Sequence, residues 1–243
     1  SVASASLLTL DVKNATLAEV LAAIREQTGN RVEDYRARFN ESVEPLRMSV
    51  SLDNVPFWPA IDGLLDQTGL APYHYADAQV LALTTRPPGT RPRTDRAAYS
   101  GPFRMEVVKT TAVRNLDRPD ENGLYAEIVI AWEPRLGPIG IVQPGNEVSV
   151  TGNDGEKIAL MDSETTTHLD VSPDDSKAEL AIALQLPDRA AVQSATLTGT
   201  MRVLVPGRQA KFQFEDLDIG GVDQQSDGGV DVALDQVVEK DGL

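Results

Sequence analysis

The sequence predicts an α+β N-terminal domain of two β-α repeats, followed by an all-β sandwich domain of the immunoglobulin-like type. A strand–turn–helix pattern at residues 8–29 returns at residues 48–69, and both copies end in Gln-Thr-Gly. From residue 101 onward, short runs of alternating polarity are separated by turn-forming residues, which is typical of a sandwich. The predicted α+β domain covers residues 7–85, a Pro/Arg-rich linker residues 86–99, and the sandwich residues 100–243.

The first repeat begins with a strand and continues into a capped helix. Apolar and polar side chains alternate over residues 8–13, which predicts a strand with one buried face. Thr16 and Glu19 have the spacing of a capping box, in which each side chain accepts a hydrogen bond from a main-chain amide at the helix start. Gly29 stands where a helix ends in a left-handed residue. The apolar stripe of this helix is Leu17, Val20, Leu21 and Ile24.

The second repeat has the same order of elements. Its strand carries Val50 and Leu52 on one face, and Pro56 and Pro59 fall at the first helical turn, where a missing amide costs little. Gly69 predicts the end of this helix. Its apolar stripe is Phe57, Ile61, Leu64 and Leu65. Outside the repeats, we expect one strand and a loop within residues 30–47, and a hairpin formed by residues 71–74 and 79–84.

The order of these motifs resembles the short N-terminal (STN) domain shared by secretins and TonB-dependent receptors. The matching motifs are N-A-T-L-A-E-V-L at 14–21, Q-T-G at 27–29, N-V-P-F-W at 54–58, T-G-L at 68–70 and V-L-A-L at 80–83. The resemblance covers residues 7–85 and implies a compact signalling or assembly domain of the bacterial envelope that contacts partner proteins and is not an enzyme. In those families an outer-membrane pore follows the domain. Nothing in this sequence resembles a pore, so the partner's identity does not carry over.

The segment after this region concentrates arginine and proline. Its arginines are Arg86, Arg91, Arg93 and Arg96, and the prolines between them favour an extended backbone. Three interpretations are open: a solvated linker, a strap lying on the acidic second domain, or an arm that binds nucleic acid. The acidic neighbour opposes the last of these.

The second half alternates strands and turns. Residues 124–132 and 178–186 alternate apolar and polar side chains, as strands with one buried face do. Further strands are expected at 103–113, 147–150, 157–161, 195–205, 210–214 and 230–238. These strands predict a sandwich of two sheets, whose order the sequence does not give. The last strand begins and then stops, and two interpretations are open: it closes the sheet, or the sequence is a fragment and a missing strand leaves an edge open to another protein's strand.

Composition and charge limit the classes of partner. The net charge of −15 repels phosphate backbones, so we expect no nucleic-acid partner. No apolar run approaches the length of a membrane-spanning helix. The absence of Cys excludes disulfides and thiolate sites. The small-residue run Ser1–Ser6 resembles the region after a signal-peptide cut or an arbitrary chain start. Together with this run, the resemblance to the short N-terminal domain implies an exported, periplasmic or envelope-associated protein.

Few residues are candidates for a chemical site. His74 and His168 are the two histidines, neither belongs to a zinc motif, and we expect His74 to be structural. Residues 137–145 are Gly-rich without the end of a phosphate loop, and predict an inter-strand loop whose exposed apolar residues can contact a partner. The carboxylates Asp117, Asp120 and Glu121 are a weaker candidate for a calcium site than the acidic stretch near the C-terminus.

An acidic, Gly-rich stretch near the C-terminus is the stronger candidate. Asp216, Asp218 and Asp223 are weak candidates for binding calcium, which prefers oxygen ligands. Asp227 and Asp231 extend the same stretch. The spacing matches neither an EF-hand nor a calcium-binding repeat, so a solvated acidic loop is the alternative.

The leading hypothesis is a non-catalytic protein-interaction or assembly module of the bacterial cell envelope, with no catalytic residue and no cofactor. It predicts one or more protein partners and allows a homo-oligomer. A ligand-binding β-sandwich that recognises glycan or calcium is the first alternative. A hydrolase with a carboxylate pair is the second, because two facing carboxylates need no sequence motif.

Overall fold

The computed structural model describes residues 4–41, 43, 45–74, 76, 79–172, 174–187, 194–206, 212–214, 223–227 and 229–234. The chain divides into two compact units, Ser1–Val205 and Pro206–Leu243. Of the described residues, strands account for 49%, and α- and 3₁₀-helices together account for 17%.

Two α-helices and five strands form the beginning of the larger unit. In chain order they are β1 (Leu7–Thr16), α1 (Leu17–Thr28), β2 (Arg31–Asp34), β3 (Arg47–Pro56), α2 (Phe57–Thr68), β4 (Leu70–Tyr73) and β5 (Val80–Thr85). Strands β1 and β3 pair antiparallel as a two-stranded sheet. Strand β5 lies between β2 and β4, parallel to β2 and antiparallel to β4.

Among the described residues, the rest of the larger unit contains strands and two 3₁₀-helices, Pro119–Glu121 and Gly145–Glu147. The strands are β6 (Ala98–Ser100), β7 (Phe103–Val113), β8 (Gly123–Trp132), β9 (Gly140–Pro144), β10 (Val148–Gly152), β11 (Lys157–Ile158), β12 (Thr166–Asp170), β13 (Lys177–Leu184), β14 (Ala195–Gly199) and β15 (Arg202–Leu204). They form three sheets, in the orders β13-β8-β7-β6, β11-β10-β14 and β12-β9-β15. In the smaller unit, β16 (Asp223–Asp227) and β17 (Val230–Leu234) pair antiparallel.

The predicted fold class was wrong. The structure is mostly β, with two α-helices among the described residues and several small sheets. It contains no clear α+β N-terminal domain of two β-α repeats, and the later strands do not form a sandwich of two sheets. The physical reason lies in strand pairing. The two strands that precede the helices, β1 and β3, pair with each other, while β2 pairs with β5. Periodicity shows which residues form strands but not which strands become neighbours.

Several local predictions are nevertheless confirmed. Thr16 and Glu19 form the capping box at the start of α1, and Gly29 and Gly69 end the two helices in the left-handed conformation. Strands β4 and β5 form the predicted hairpin. Both predicted apolar stripes are buried in one core.

The repeated sequence segments make equivalent contacts across the β1–β3 pair. The amide of Asn14 donates to Ser49 Oγ at 3.2 Å, and the amide of Asn54 donates to Thr9 Oγ1 at 3.1 Å. Asn14 and Asn54 also share a positive φ, of 53° and 50°. Asparagine adopts this conformation more easily than most residues do, because its short side chain can hydrogen-bond locally.

Two apolar cores lie within the larger unit. The first joins α1 and α2 to strands β1 to β5, and it also contains Ala131 of β8. The second joins β8 and β13 to β9 and β10. The indole of Trp58 on α2 donates to the carbonyl oxygen of Pro102 at 3.0 Å, so the helix is also fixed to the segment that precedes β7.

The Gly-rich segment at residues 137–145 was predicted as a loop, but residues 140–144 form β9, which lies between β12 and β15. A Cβ atom at Gly145 would lie 2.6 Å from the carbonyl oxygen of Thr165. Glycine at this position therefore permits a close approach of two backbones, which a sequence pattern does not distinguish from a turn.

Candidate functional site: buried polar junctions and exposed apolar surfaces

A fully buried carboxylate joins α2 to three later segments of the chain. Asp62 Oδ1 accepts a hydrogen bond from Arg93 Nε at 2.7 Å, and Oδ2 accepts one from Arg104 Nε at 2.6 Å. The hydroxyl of Tyr99 also donates to Oδ2, at 2.8 Å. Burial and this hydrogen bond raise the pKa of Tyr99. Both carboxylate oxygens are thus occupied by groups of the chain itself.

The ion network continues along β7. Arg104 Nη1 donates to Glu106 Oε2 at 2.7 Å, and Arg96 Nη2 lies 3.2 Å from Glu106 Oε1. Although burial opposes its charge, the carboxylates of Asp62 and Glu106 raise the pKa of Arg104. Arg104 Nη2 is buried and has no acceptor among the described residues. We call Asp62, Arg93, Arg104 and Glu106 the Asp62 network, and its charges hold elements together.

A second carboxylate on α2 fixes the Pro/Arg-rich segment. Asp66 accepts hydrogen bonds from the amides of Arg93 and Thr94, both at 2.8 Å, and from Arg86 Nη2 at 2.5 Å. Burial alone would raise the pKa of Asp66, but these hydrogen bonds outweigh it and lower the pKa to about 2. The segment that was expected to be a linker is therefore attached to helix α2. Its contacts are not confined to the acidic strands that follow it.

A third buried carboxylate joins β8 to the start of the chain. Glu133 is fully buried and accepts hydrogen bonds from the amide of Ser6 at 2.8 Å, from Asn30 Nδ2 at 3.0 Å and from Arg135 Nε at 2.7 Å. The hydroxyl of Ser6 donates to the same carboxylate at 2.6 Å. Four donors thus converge on one carboxylate, which compensates its burial.

His74 lies between β4 and the start of β13. Its Nδ1 is 3.0 Å from Ser176 Oγ. Burial lowers the pKa of His74 to about 4, and the positive charges of Lys177, Arg93 and Arg104 act in the same direction. The imidazole is therefore neutral at physiological pH and is half-buried between these elements. The other histidine, His168, is exposed on β12.

The calcium candidates are not brought together in what the structure describes. Asp216 and Asp218 lie outside the described residues, as does the side chain of Asp223, whose backbone begins β16. Among the described residues, no group of three or more His, Cys, Asp or Glu side chains is placed to hold a metal ion. In the weaker candidate group of Asp117, Asp120 and Glu121, the carboxylate of Glu121 forms an ion pair with Arg118.

One exposed apolar surface lies beside the predicted Gly-rich segment. Ile139 is 55% exposed, Leu204 is 56% exposed and Val205 is 38% exposed. The amide of Ile139 donates to the carbonyl oxygen of Leu204 at 2.9 Å, so these residues are adjacent although distant in sequence. We call these three residues the Ile139 patch. Apolar side chains exposed side by side are typical of surfaces that contact another molecule.

A second exposed apolar surface is the free edge of β7. All residues from Val107 to Val113 are exposed. Val107, Val108 and Val113 are 45%, 49% and 39% exposed. We call residues 107–113 the β7 edge.

Sequence reasoning missed the Asp62 network, although one signal was present. On α2, Asp62 follows Trp58 by four residues and precedes Leu65 by three, so it lies on the apolar stripe. A carboxylate on a buried helix face needs a buried cation. The partner cations on the Pro/Arg-rich segment and on β7 were not identifiable from periodicity.

The α1 and α2 helices lack the length and the apolar composition that a membrane-spanning helix requires, within the part of the chain that is described. Comparisons with protein-family models, with curated proteins and with solved structures found no match to this chain.

Proposed function

We propose that this chain is a non-catalytic protein-interaction or assembly module of the bacterial cell envelope. The observation that supports the proposal most strongly is the Ile139 patch, where Ile139 and Leu204 each expose more than half of their surface to solvent and lie next to each other. Exposing such side chains is unfavourable in water unless a partner covers them.

The use of the polar groups supports the same proposal. Asp62 and Glu133, the two fully buried carboxylates described above, are both occupied by donors from the chain. Each therefore serves to hold segments together, which produces a rigid frame for the exposed apolar residues. Preorganised surfaces bind with a smaller loss of conformational entropy than mobile ones do.

The place of the protein in the envelope rests on sequence. Residues 7–85 carry the motifs that resemble the short N-terminal domain of secretins and TonB-dependent receptors. That resemblance implies an exported chain whose role is to contact other proteins.

The test is capture of a partner by the immobilised full chain from an envelope extract of the source bacterium. The informative variant is the double substitution Ile139→Asp with Leu204→Asp, which places charge on exposed positions and should leave the fold intact. The matched control is Leu116→Asp, because Leu116 is also apolar and is 91% exposed but lies outside the patch.

We expect the wild-type chain and the Leu116→Asp control to capture the same protein, and the double variant to lose it. Failure of the wild-type chain to capture any specific protein would contradict the proposal. Equal capture by the double variant would show that the Ile139 patch is not the binding surface.

A further inference from the structure

Strand β7 has one long edge without a neighbouring strand. On one side it pairs with β8 along its whole length, from Phe103 to Val113. On the other side β6 pairs with Phe103, Arg104 and Met105, and the described residues place no strand beyond that point. The β7 edge therefore presents main-chain donors and acceptors to solvent, as a template for another strand.

Of the features that usually protect a free edge, β7 has a lysine and a register shift but no proline. Its central charge, Lys109, is bonded to Glu127 on β8, with Nζ 2.6 Å from Oε1, so this charge is paired within its own sheet. A register shift between Val107 and Lys109 leaves Val108 without a partner on β8. All residues of the β7 edge are exposed and four of the seven are apolar, which suits the addition of a strand.

We propose that the β7 edge pairs antiparallel with the β7 edge of a second copy of this chain, about a two-fold axis at Thr110. In this register Val107 lies opposite Val113 of the other copy, and Val108 lies opposite Ala112. Apolar residues thus meet apolar residues on both sides of the axis, which is the self-complementarity that an isologous dimer requires.

Charge selects this register over its neighbours. The pairing centred on Thr110 puts Lys109 opposite the uncharged Thr111, so no like charges meet. A pairing centred on Lys109 would place two ammonium groups directly opposite each other, which is unfavourable. A pairing centred on Thr111 would place Lys109 opposite Val113 and remove the valine–valine contact.

This inference goes beyond the proposed function and does not depend on it. The β7 edge and the Ile139 patch share no residue, so each can fail in its own test without affecting the other.

The first test uses a single cysteine, because the chain has no Cys of its own. In the proposed dimer, Thr110 of one copy lies directly opposite Thr110 of the other copy. Opposite Cα atoms in an antiparallel pair lie about 4.5–5.5 Å apart, within the range that a disulfide spans. The control is Val108→Cys, whose two copies would be offset by about 13 Å along the strands. We expect mild oxidation to convert Thr110→Cys to a covalent dimer and to leave Val108→Cys monomeric.

The second test measures self-association by sedimentation velocity over a range of protein concentrations. The wild-type chain should form a dimer as its concentration rises. The double variant Val107→Lys with Val113→Lys places like charges opposite each other twice, and we expect it to dimerise at least about tenfold more weakly. The matched variant Val107→Lys with Val113→Glu places opposite charges in the same two positions and should retain the dimer.

All four substituted positions are exposed, and circular dichroism can confirm that each variant is folded. A wild-type chain that remains monomeric at every concentration would overturn the proposal. So would equal cross-linking of the two cysteine variants, or equal association of the two charge variants.

Discussion

Asp62 on α2 and Arg104 on β7 form an ion pair of 2.6 Å in which the two side chains are 1% and 3% exposed. The residues are far apart in sequence, and the pair fixes the second helix to the sheet that carries the β7 edge. Buried charges are costly to remove from water, so such a pair is stable only while both partners are present.

Replacing Asp62 by Asn should therefore destabilise the protein strongly. The substitution keeps the size of the side chain but removes the buried counter-charge of Arg93 and leaves Arg104 with Glu106 alone. We expect the free energy of unfolding to fall by about 3–5 kcal/mol in urea denaturation. The control Asp11→Asn changes an exposed carboxylate and should have an effect within about 0.5 kcal/mol. A loss of less than 1 kcal/mol for Asp62→Asn would contradict the structural role of this carboxylate.

Replacing Asp66 by Asn should release the Pro/Arg-rich segment from α2. The neutral amide cannot accept the hydrogen bonds from Arg93, Thr94 and Arg86 as a carboxylate does. Trypsin cuts after arginine unless proline follows, so limited proteolysis should then cleave after Arg93 and Arg96 several-fold faster than in the wild-type chain. The control is Asp53→Asn, which removes an exposed carboxylate outside this contact. Equal cleavage rates for all three proteins would show that Asp66 does not hold the segment.

Replacing Glu133 by Gln should loosen the start of β1. The glutamine amide can take two orientations. In one its NH₂ group faces the amide of Ser6, and in the other it faces the donors of Asn30 and Arg135. At least one hydrogen bond is therefore lost in a buried site. We expect a loss of about 1–3 kcal/mol in the free energy of unfolding. Hydrogen exchange at the amide of Ser6 should also become faster. Unchanged protection at Ser6 would argue against this junction.

The stability of the protein should depend on the protonation of His74. Its pKa is lowered from the ordinary value of 6.5 to about 4 in the folded state, so the unfolded state binds more protons between these pH values. The contribution of the neutral His74 side chain to the free energy of unfolding is fully present above pH 6.5 and is lost as the pH falls toward 4. It amounts to roughly 1–3 kcal/mol.

The variant His74→Gln isolates this effect, because other groups that titrate in acid are common to both proteins. The difference in free energy of unfolding between the wild-type chain and the variant should decrease as the pH is lowered from 7 to 4. A difference that stays constant over this range would contradict a neutral His74 in the folded state.

Local elements of the fold were predictable because their causes lie within a few residues. The capping box of Thr16 and Glu19 and the helix ends at Gly29 and Gly69 depend on local hydrogen bonds and backbone angles. The alternation in residues 124–132 likewise predicted strand β8, because strand periodicity is a local property.

The fold class and the polar junctions were not predictable for the opposite reason. Pairing β2 parallel to β5 requires a long connection that no local pattern specifies. The contact of Asp62 with Arg104 and that of Asn30 with Glu133 join residues distant in sequence, and these contacts depend on how the elements pack. The Gly-rich segment was assigned to a loop because glycine for a close backbone approach and glycine for a turn look alike in sequence.

Site-specific photo-cross-linking tests the central claim, that the exposed apolar surface binds a protein, most directly. A photoreactive amino acid is placed at Leu204 of the full chain, in the cells that produce it natively. The control position is Thr166, which is exposed on β12 outside the Ile139 patch. We predict that irradiation links Leu204 to one specific protein and does not link Thr166 to it. The absence of a specific product at Leu204, or the same products at both positions, would contradict the account.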